Sequence, residues 1–403
     1  MKLTLLVQLS WRNLWRHRRR TVILLTTICV AVGSVLVLNA LLRGMQMSMV
    51  ETAIDNLNGH FKVLAPGYLD DPGITKSFEL EPSGIPGLSA EGIRGWAPRV
   101  RVPAVIRSER ETRGVQFVGI VPGSEAISFL GEVDVDGEYL SGPDDRRILL
   151  GHALAEQLET GVGRRVVLIT QGADGGNRES GYRVAGVYDA VGTGIEKAFV
   201  FTGLATVQDL LSVDAVTEVS VRLTEEARGP SVLGDLTNTF DGLDVRTWQD
   251  LEPQAAMMHE MADATVSIWF LIVMGALIFG LVNTLVTAVM ERIRELGMLR
   301  AIGMRRGAVI AQVVIESMIT MVIGISTGVV LGLLGFAWLA EGIDLSAFAE
   351  GLELTGLRPE LVPQLWAQDV FLVVVLSLVL GFLASIYPAH RAVRVQPLDA
   401  MRR

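Results

Sequence analysis

The sequence predicts an α-helical membrane protein with four transmembrane helices plus an α+β extracytoplasmic domain on a two-helix stalk. Three observations carry this. Half of the 403 residues are hydrophobic and the mean hydropathy is +0.42, which points to a membrane protein with a sizeable soluble part. Residues 21–42, 265–290 and 307–340 are apolar stretches that meet the roughly 20 helical residues a bilayer core requires. Residues 370–387 add a shorter uncharged run before Pro388. Finally, residues 44–264 hold 34 acids against 18 basic residues, a soluble domain held between the first two spans.

Charge sets the expected orientation. Residues 1–20 carry six Lys or Arg and no acid, residues 291–306 five Arg against two Glu, and residues 388–403 four Arg against one Asp. Residues 341–369 carry six acids and Arg358. By the positive-inside rule the three basic segments are cytoplasmic and the two acidic ones outside. The layout is then 1–20 cytoplasmic, 21–43 first span, 44–264 outside, 265–290 second span, 291–306 cytoplasmic, 307–340 third span, 341–369 outside, 370–387 fourth span and 388–403 cytoplasmic. The first apolar run is too long for a signal peptide and ends in no small-x-small cleavage pattern. The single Cys29 reads as a small core residue.

The elements follow in order. Leu3, Leu6, Val7, Trp11, Leu14 and Trp15 fall near helical spacing, with Arg12, Arg16 and Arg18 to Arg20 on the basic side. This pattern suits an amphipathic helix lying on the inner membrane surface. The first span continues outward through Met45, Met49, Ala53, Ile54 and Leu57 until Gly59. A second helix starts at Pro253, a residue suited to a first helical position, and leads through Ala256, Met257, Met261 and Ala264 into the second span. These two form the expected stalk, with Ala53 and Ala264 as positions where its continuity can be probed. Between them, residues 61–64, 100–106, 115–120, 146–150, 165–170, 182–188, 197–201, 218–223 and 243–246 read as strands. Residues 152–159, 204–211 and 225–240 read as helices, and the domain reads as two lobes. Residues 70–95 read as a loop or flap, and the acid-rich stretch 134–145 as a solvated turn region.

The organising stretch is ERIRELGMLRAIG at residues 291–303. Glu291, Arg292, Arg294 and Glu295 give it a polar face, and Ile293, Leu296, Met298, Leu299 and Ile302 a greasy one. Gly297 and Gly303 allow close approach or a helix end. Such a link can lie on the membrane surface and dock in a groove of a cytoplasmic partner. Glu316 is the single charge in 307–340, and an ionisable residue at that depth faces a bundle interior or a partner, or snorkels.

RIRELGMLRAIGM, residues 292–304, resembles the coupling segment of the FtsX/MacB-like family of ABC transporter permeases. The close of the chain, Tyr387-Pro388-Ala389-His390-Arg391-Ala392 to Pro397-Leu398-Asp399-Ala400-Met401-Arg402, resembles that family's ending, with His390 where a basic residue is expected. Arg12-Asn13-Leu14 and Arg18-Arg19-Arg20-Thr21 resemble its start. Ile148-Leu149-Leu150-Gly151-His152, with residues 182–188 and 194–201, resembles its periplasmic domain. Gly59-His60 and Pro66-Gly67-Tyr68 resemble the lipoprotein-releasing LolC/LolE-type branch.

The resemblance implies a multi-pass protein of the bacterial inner membrane that is not itself an enzyme. It implies a second permease chain, identical or related, and a separate ATPase dimer holding ATP and Mg. Glu291, Arg292, Arg294, Glu295, Leu296, Gly297, Leu299, Arg300 and Gly303 would meet that ATPase. The work implied is mechanical: extraction of lipoproteins from the inner membrane for a periplasmic acceptor. Two alternatives stay open, a MacB-like efflux permease working with a periplasmic adaptor and an FtsX-like regulator of a cell-wall hydrolase.

The sequence carries no phosphate-binding loop of the G-x-x-x-x-G-K-[ST] kind and no H-E-x-x-H. No cofactor, metal or catalytic residue is therefore expected on this chain. Met257, Met258, His259 and Met261 read as packing rather than metal ligands. The acidic soluble domain argues against nucleic acid, and membrane lipids are the remaining expected contact.

Overall fold

The computed structural model describes residues 3–16, 18–80, 92–190, 194–225, 229–291, 298, 304–345, 347 and 360–394. They fall into two units. One comprises Met1–Gln46, Glu260–Ile343 and Leu361–Arg403, the other Met47–His259 and Asp344–Glu360.

The first unit is helical. A short amphipathic helix α1 (Leu3–Arg16) precedes α2 (Arg18–Asp55), which runs 38 residues without a break. At about 1.5 Å per residue α2 is about 57 Å long. The return helix α8 (Pro253–Glu291) has 39 residues. Two more long helices complete the unit, α9 (Arg306–Leu339) and α10 (Ala367–Arg394). All four long helices contain segments apolar enough to cross a membrane. Leu24, Ile28, Val32 and Leu36 of α2, Met274 of α8, Met321 and Ile325 of α9, and Val373 of α10 form one buried cluster.

Glycine decides how closely α2 and α9 approach. Gly324, Gly328 and Gly332 recur every four residues and so share one face of α9. A Cβ at Gly328 would stand 2.9 Å from the Cys29 carbonyl oxygen, and one at Gly332 3.0 Å from Leu36 Cβ. A Cβ at Gly33, on the opposing helix, would stand 3.3 Å from the Gly328 carbonyl oxygen. This is the small-residue spacing that lets membrane helices gain dispersion energy where no hydrophobic effect drives them together. Cys29 is buried in this seam.

The second unit is built on one long strand. The strands are β1 (Phe61–Leu64), β2 (Ile93–Arg107), β3 (Thr112–Ile120), β4 (Asp134–Gly137), β5 (Arg147–Gly151), β6 (Arg165–Gln171), β7 (Asn177–Asp189), β8 (Phe199–Gly203), β9 (Glu218–Leu223) and β10 (Asp244–Thr247). Neighbours run β10-β1-β9-β2-β3-β8-β5-β7-β4, and β6 pairs with both β2 and β7. The path β2-β3-β8-β5-β7-β6 therefore returns to β2 and closes a ring of six strands, which leaves no edge within it. The first half of β2, Ile93 to Arg99, pairs with β9, and the second half, Val100 to Arg107, with β3. The two parts of the domain thus share a strand.

Alternation explains why these strands read as continuous apolar runs. Val115 and Phe117 of β3, Ile148 and Leu150 of β5, and Val200 of β8 enter one buried cluster. Val118 and Ile120, Leu149, and Phe201 enter another on the opposite face. The helices α3 (His152–Gln157), α4 (Ile195–Ala198), α5 (Leu204–Leu211), α6 (Gly229–Thr239) and α7 (Trp248–Leu251) fill the connections.

Three local expectations are corrected. The strand read from residue 197 begins at Phe199, because Ile195 to Ala198 close a helical turn. β2 starts at Ile93, inside the stretch read as loop. Residues 134–145 are not merely a solvated turn. Asp134–Gly137 pairs with β7, and Asp145 is buried. Its carboxylate accepts from the Ser141 amide at 3.0 Å and from the Arg147 amide and Nε, each at 3.0 Å. Hydrogen bonds from Arg147 hold that carboxyl well below its usual range.

Candidate functional site

The best-defined polar site of the second unit is the place where α2 ends. The helix stops at Asp55, and Leu57 takes a left-handed conformation with φ +67°, a region costly to a branched side chain. Two features hold it there. The Leu57 side chain is fully buried beside Ile120, Tyr188 and Phe201. Its carbonyl accepts from Arg99 Nη1 at 2.7 Å and from Ser220 Oγ at 2.6 Å.

Arg99 is wholly buried and lies at the residue where β2 changes neighbours. Its Nε and Nη2 each donate to Glu125, both at 2.8 Å, in a bidentate pair. Glu125 is equally buried and also accepts from Ser128 Oγ at 2.7 Å. Glu218, opposite Arg99 in the ladder, pairs with Lys62 of β1 at 3.2 Å and stands 3.6 Å from Arg99 Nη1. Buried charges persist only when paired and hydrogen-bonded.

The charges set one another's protonation. Burial pushes the Glu218 carboxyl up, but Lys62, Arg101 and Arg99 together outweigh it and hold it below the usual range. Burial pushes Lys62 down to about 8, Glu218 opposes, and Arg101 and Arg99 add to the fall. Three cations share two carboxylates here, so the strongest acid among the cations, the Lys62 ammonium, is the one whose proton is loosened.

Further bonds tie the same helix end to the start of the return helix. Asn58 Nδ2 donates to the Ala53 carbonyl at 3.0 Å and to Glu252 Oε1 at 3.4 Å. The Trp248 amide donates to the His60 carbonyl at 3.1 Å. Val50, Ala53 and Ile54 of α2 pack on Trp248 together with Ala255 and Ala256 of α8. Thr247 and Asp250 form a capping box that starts α7, which the single residue Glu252 separates from α8. Arg222 pairs with Asp55 and donates to the Ile127 carbonyl. Beside this joint lies a cleft of about 690 Å³ lined by Asp55, Arg94, Phe129, Asp134, Asp189 and Arg222 among others.

The membrane unit has a comparable fastening. Arg43 of α2 pairs with Asp369 of α10 through two contacts of 3.3 Å and lies 4.7 Å from the Trp366 ring. The Gln364 amide donates to the Ala40 carbonyl at 2.9 Å.

Of the residues singled out from sequence, Ala53 is buried in the Trp248 cluster, whereas Ala264 is exposed on α8. Glu291 is the last residue of α8, and Glu316 is half-buried on α9. Arg292, Arg294, Glu295, Leu296, Gly297, Leu299, Arg300 and Gly303 lie outside the described residues. Sequence reasoning missed Lys62, Arg99, Glu125, Glu218 and Ser220. The available signal was a charge inside an apolar strand, as in Ala97-Pro98-Arg99-Val100 and Thr217-Glu218-Val219.

Residues 267–397 match the FtsX-like permease C-terminal family model, and residues 21–239 match the MacB-like periplasmic core domain. The chain belongs to the FtsX/MacB-like family of ABC transporter permeases. It is 27% identical over 327 residues to a lipoprotein-releasing system transmembrane protein LolC of Xylella fastidiosa, covering 77% of this chain and 78% of that one. The LolC of Neisseria meningitidis is 26% identical over 406 residues, 95% of this chain and 94% of the relative. A macrolide export ATP-binding/permease protein MacB of Bdellovibrio bacteriovorus is 22% identical over 98% of this chain, which spans 61% of that longer relative. The permease is therefore similar to LolC along nearly its whole length.

Proposed function

We propose that this permease is the membrane half of an ATP-driven mechanotransmission transporter that extracts lipoproteins from the inner membrane for transfer towards the outer membrane. One observation carries the mechanical part. α2 runs unbroken from Arg18 to Asp55, and a buried ionic joint grips the carbonyl two residues beyond its end. A stiff rod fixed at its tip transmits displacement rather than absorbing it. The names of the LolC relatives support the cargo class.

In this reading both termini and residues 291–306 are cytoplasmic. A separate ATPase dimer binds ATP and Mg and meets Glu291, Arg292, Arg294, Glu295 and Arg300, while Leu296 and Leu299 fill its groove and Gly297 and Gly303 shape the fit. Apolar anchors in a groove dominate such interfaces. A second permease chain faces the first, and closing of the ATPases displaces α2 and α8 together. Similarity to part of MacB along 98% of this chain favours efflux as the second reading.

The test is reconstitution of the permease and its ATPase in proteoliposomes with a triacylated lipoprotein and, separately, a macrolide. ATP-dependent release of the lipoprotein with no macrolide movement is expected. Macrolide efflux without lipoprotein release would assign the second reading.

A further inference from the structure

We propose that residues 361–369 form a strap that locks α2 onto α10, so that α2, α9 and α10 move as one rigid body and α8 is the helix that shifts against it. The strap meets α2 within five residues. The Gln364 amide donates to the Ala40 carbonyl at 2.9 Å. Arg43 donates to the two Asp369 oxygens through Nε and Nη2, each at 3.3 Å, and its guanidinium carbon lies 4.7 Å from the centre of the Trp366 ring. Gly44 lets the strap lie this close. A Cβ there would collide with the Val362 carbonyl oxygen and stand 2.9 Å from Pro363 Cα, both backbone atoms that cannot swing aside. Leu361, Pro363 and Asp369 are buried, and a buried ion pair cannot part without leaving a bare charge. The glycine seam joins α2 to α9 in the same way. A Cβ at Gly381 of α10 would collide with the Met321 side chain of α9, which closes the third side of the block.

The seam between α2 and α8 is built differently. A cavity of about 20 Å³ lies in it, among Val35, Leu38 and Asn39 of α2 and Trp269 and Phe270 of α8. Atoms lining a void forfeit dispersion contacts. Asn39 is buried, and its Oδ1 accepts no hydrogen bond among the described residues, a second departure from a settled interface. Of the α8 side chains, Met274 enters the buried cluster, while Ile268, Leu271, Ile272 and Phe279 are exposed. A Cβ at Gly275 would meet nothing within 4 Å. A helix shift of about 1–2 Å would cost this seam little. The same shift at the strap would break an ion pair and a backbone hydrogen bond at once. In the mechanical function proposed above, on which this use of the strap rests, α2 and α8 are both displaced and the give within the chain is confined to α8.

The experiment uses the full-length permease in detergent, with Cys29→Ser and spin labels at exposed positions. One pair joins α2 to α10, Val30→Cys with Val379→Cys, and the other joins α2 to α8, Val30→Cys with Phe279→Cys. Pulsed electron paramagnetic resonance reads the distribution of each distance. Neither ATPase nor cargo is present, so the outcome is independent of what the permease transports. The α2–α8 distribution should be broader than the α2–α10 one by about 2 Å, the size of a helix shift at an interface. Gly44→Ala, and separately Asp369→Asn, should broaden the α2–α10 distribution to match. Gly275→Ala should change neither. Equal widths for the two pairs in the protein with its strap intact would overturn the proposal. So would an α2–α10 distribution that neither strap variant broadens.

Discussion

Arg99 donates to the backbone carbonyl of Leu57 at 2.7 Å, and with that one bond a strand at the centre of the soluble domain holds the end of a 38-residue helix. The bond is tight because both partners are buried and Glu125 neutralises the guanidinium from its other edge.

Removing one partner should expose the cost. Arg99→Met leaves Glu125 buried without its bidentate cation, and the expected loss is about 3–5 kcal/mol. Adding Glu125→Leu should recover part of this, because the orphaned charge is gone. Thermal unfolding of the full chain, followed by tryptophan fluorescence, gives both values. A single variant within about 1 kcal/mol of the unaltered protein would contradict the buried-joint account.

The glycine seam has a built-in reporter, since Cys29 is the sole cysteine of the chain. Gly328→Leu puts a side chain where the Cys29 carbonyl and Val32 Cβ already stand at 2.9 Å. The helices must part, and maleimide labelling of Cys29 in detergent should rise about tenfold as its thiol becomes accessible. Gly275→Leu, where a Cβ meets nothing within 4 Å, should leave labelling unchanged. Equal labelling in both variants would mean that α2 and α9 do not pack through glycine.

His60 predicts an acid limit. Burial lowers its pKa to about 4, the Arg222 charge adds to the fall, and Asp55 opposes it. The ring also accepts the Leu223 amide at Nδ1, 3.3 Å, which requires that nitrogen to be unprotonated. The unfolded chain takes up this proton near 6.5 and the folded one only near 4. Stability is therefore lost as pH falls between those values. The melting temperature of the full chain should drop over pH 6.5 to 4, and His60→Gln should flatten that part of the curve. An equally steep drop in His60→Gln would assign it to the carboxylates.

Much of the architecture was legible because it rests on composition. Long uncharged runs announce the four long helices, and Phe61–Leu64, Leu204–Leu211 and Glu218–Leu223 occur where alternation and propensity put them. The closed six-stranded ring was not legible, because it depends on β6 pairing with two distant strands. The Arg99 joint was hidden for the same reason: its members lie at positions 57, 62, 99, 125, 218 and 220, and their convergence follows from topology, not spacing. The glycine seam, by contrast, was written plainly at every fourth residue of the third span and passed unread.

The proposed coupling link yields a prediction of its own. In the proposed coupling role Leu299→Asp replaces an apolar anchor with a charge, and it should leave membrane insertion intact while abolishing stimulation of the ATPase. Normal ATP turnover and normal transport by this variant would move the coupling role elsewhere.

The central claim, that force travels along unbroken helices, is tested most directly at Ala264. This residue is exposed on α8, so a substitution there alters the helix backbone more than its packing. Proline removes a backbone hydrogen bond and clashes with the preceding turn, at about 3 kcal/mol or more, whereas glycine costs about 1 kcal/mol. The measurement is lipoprotein release per ATP hydrolysed in proteoliposomes containing the folded, ATPase-bound permease. The account predicts that Ala264→Pro hydrolyses ATP without release and that Ala264→Gly releases nearly normally. Normal release by Ala264→Pro would show that α8 is a tether and not a lever.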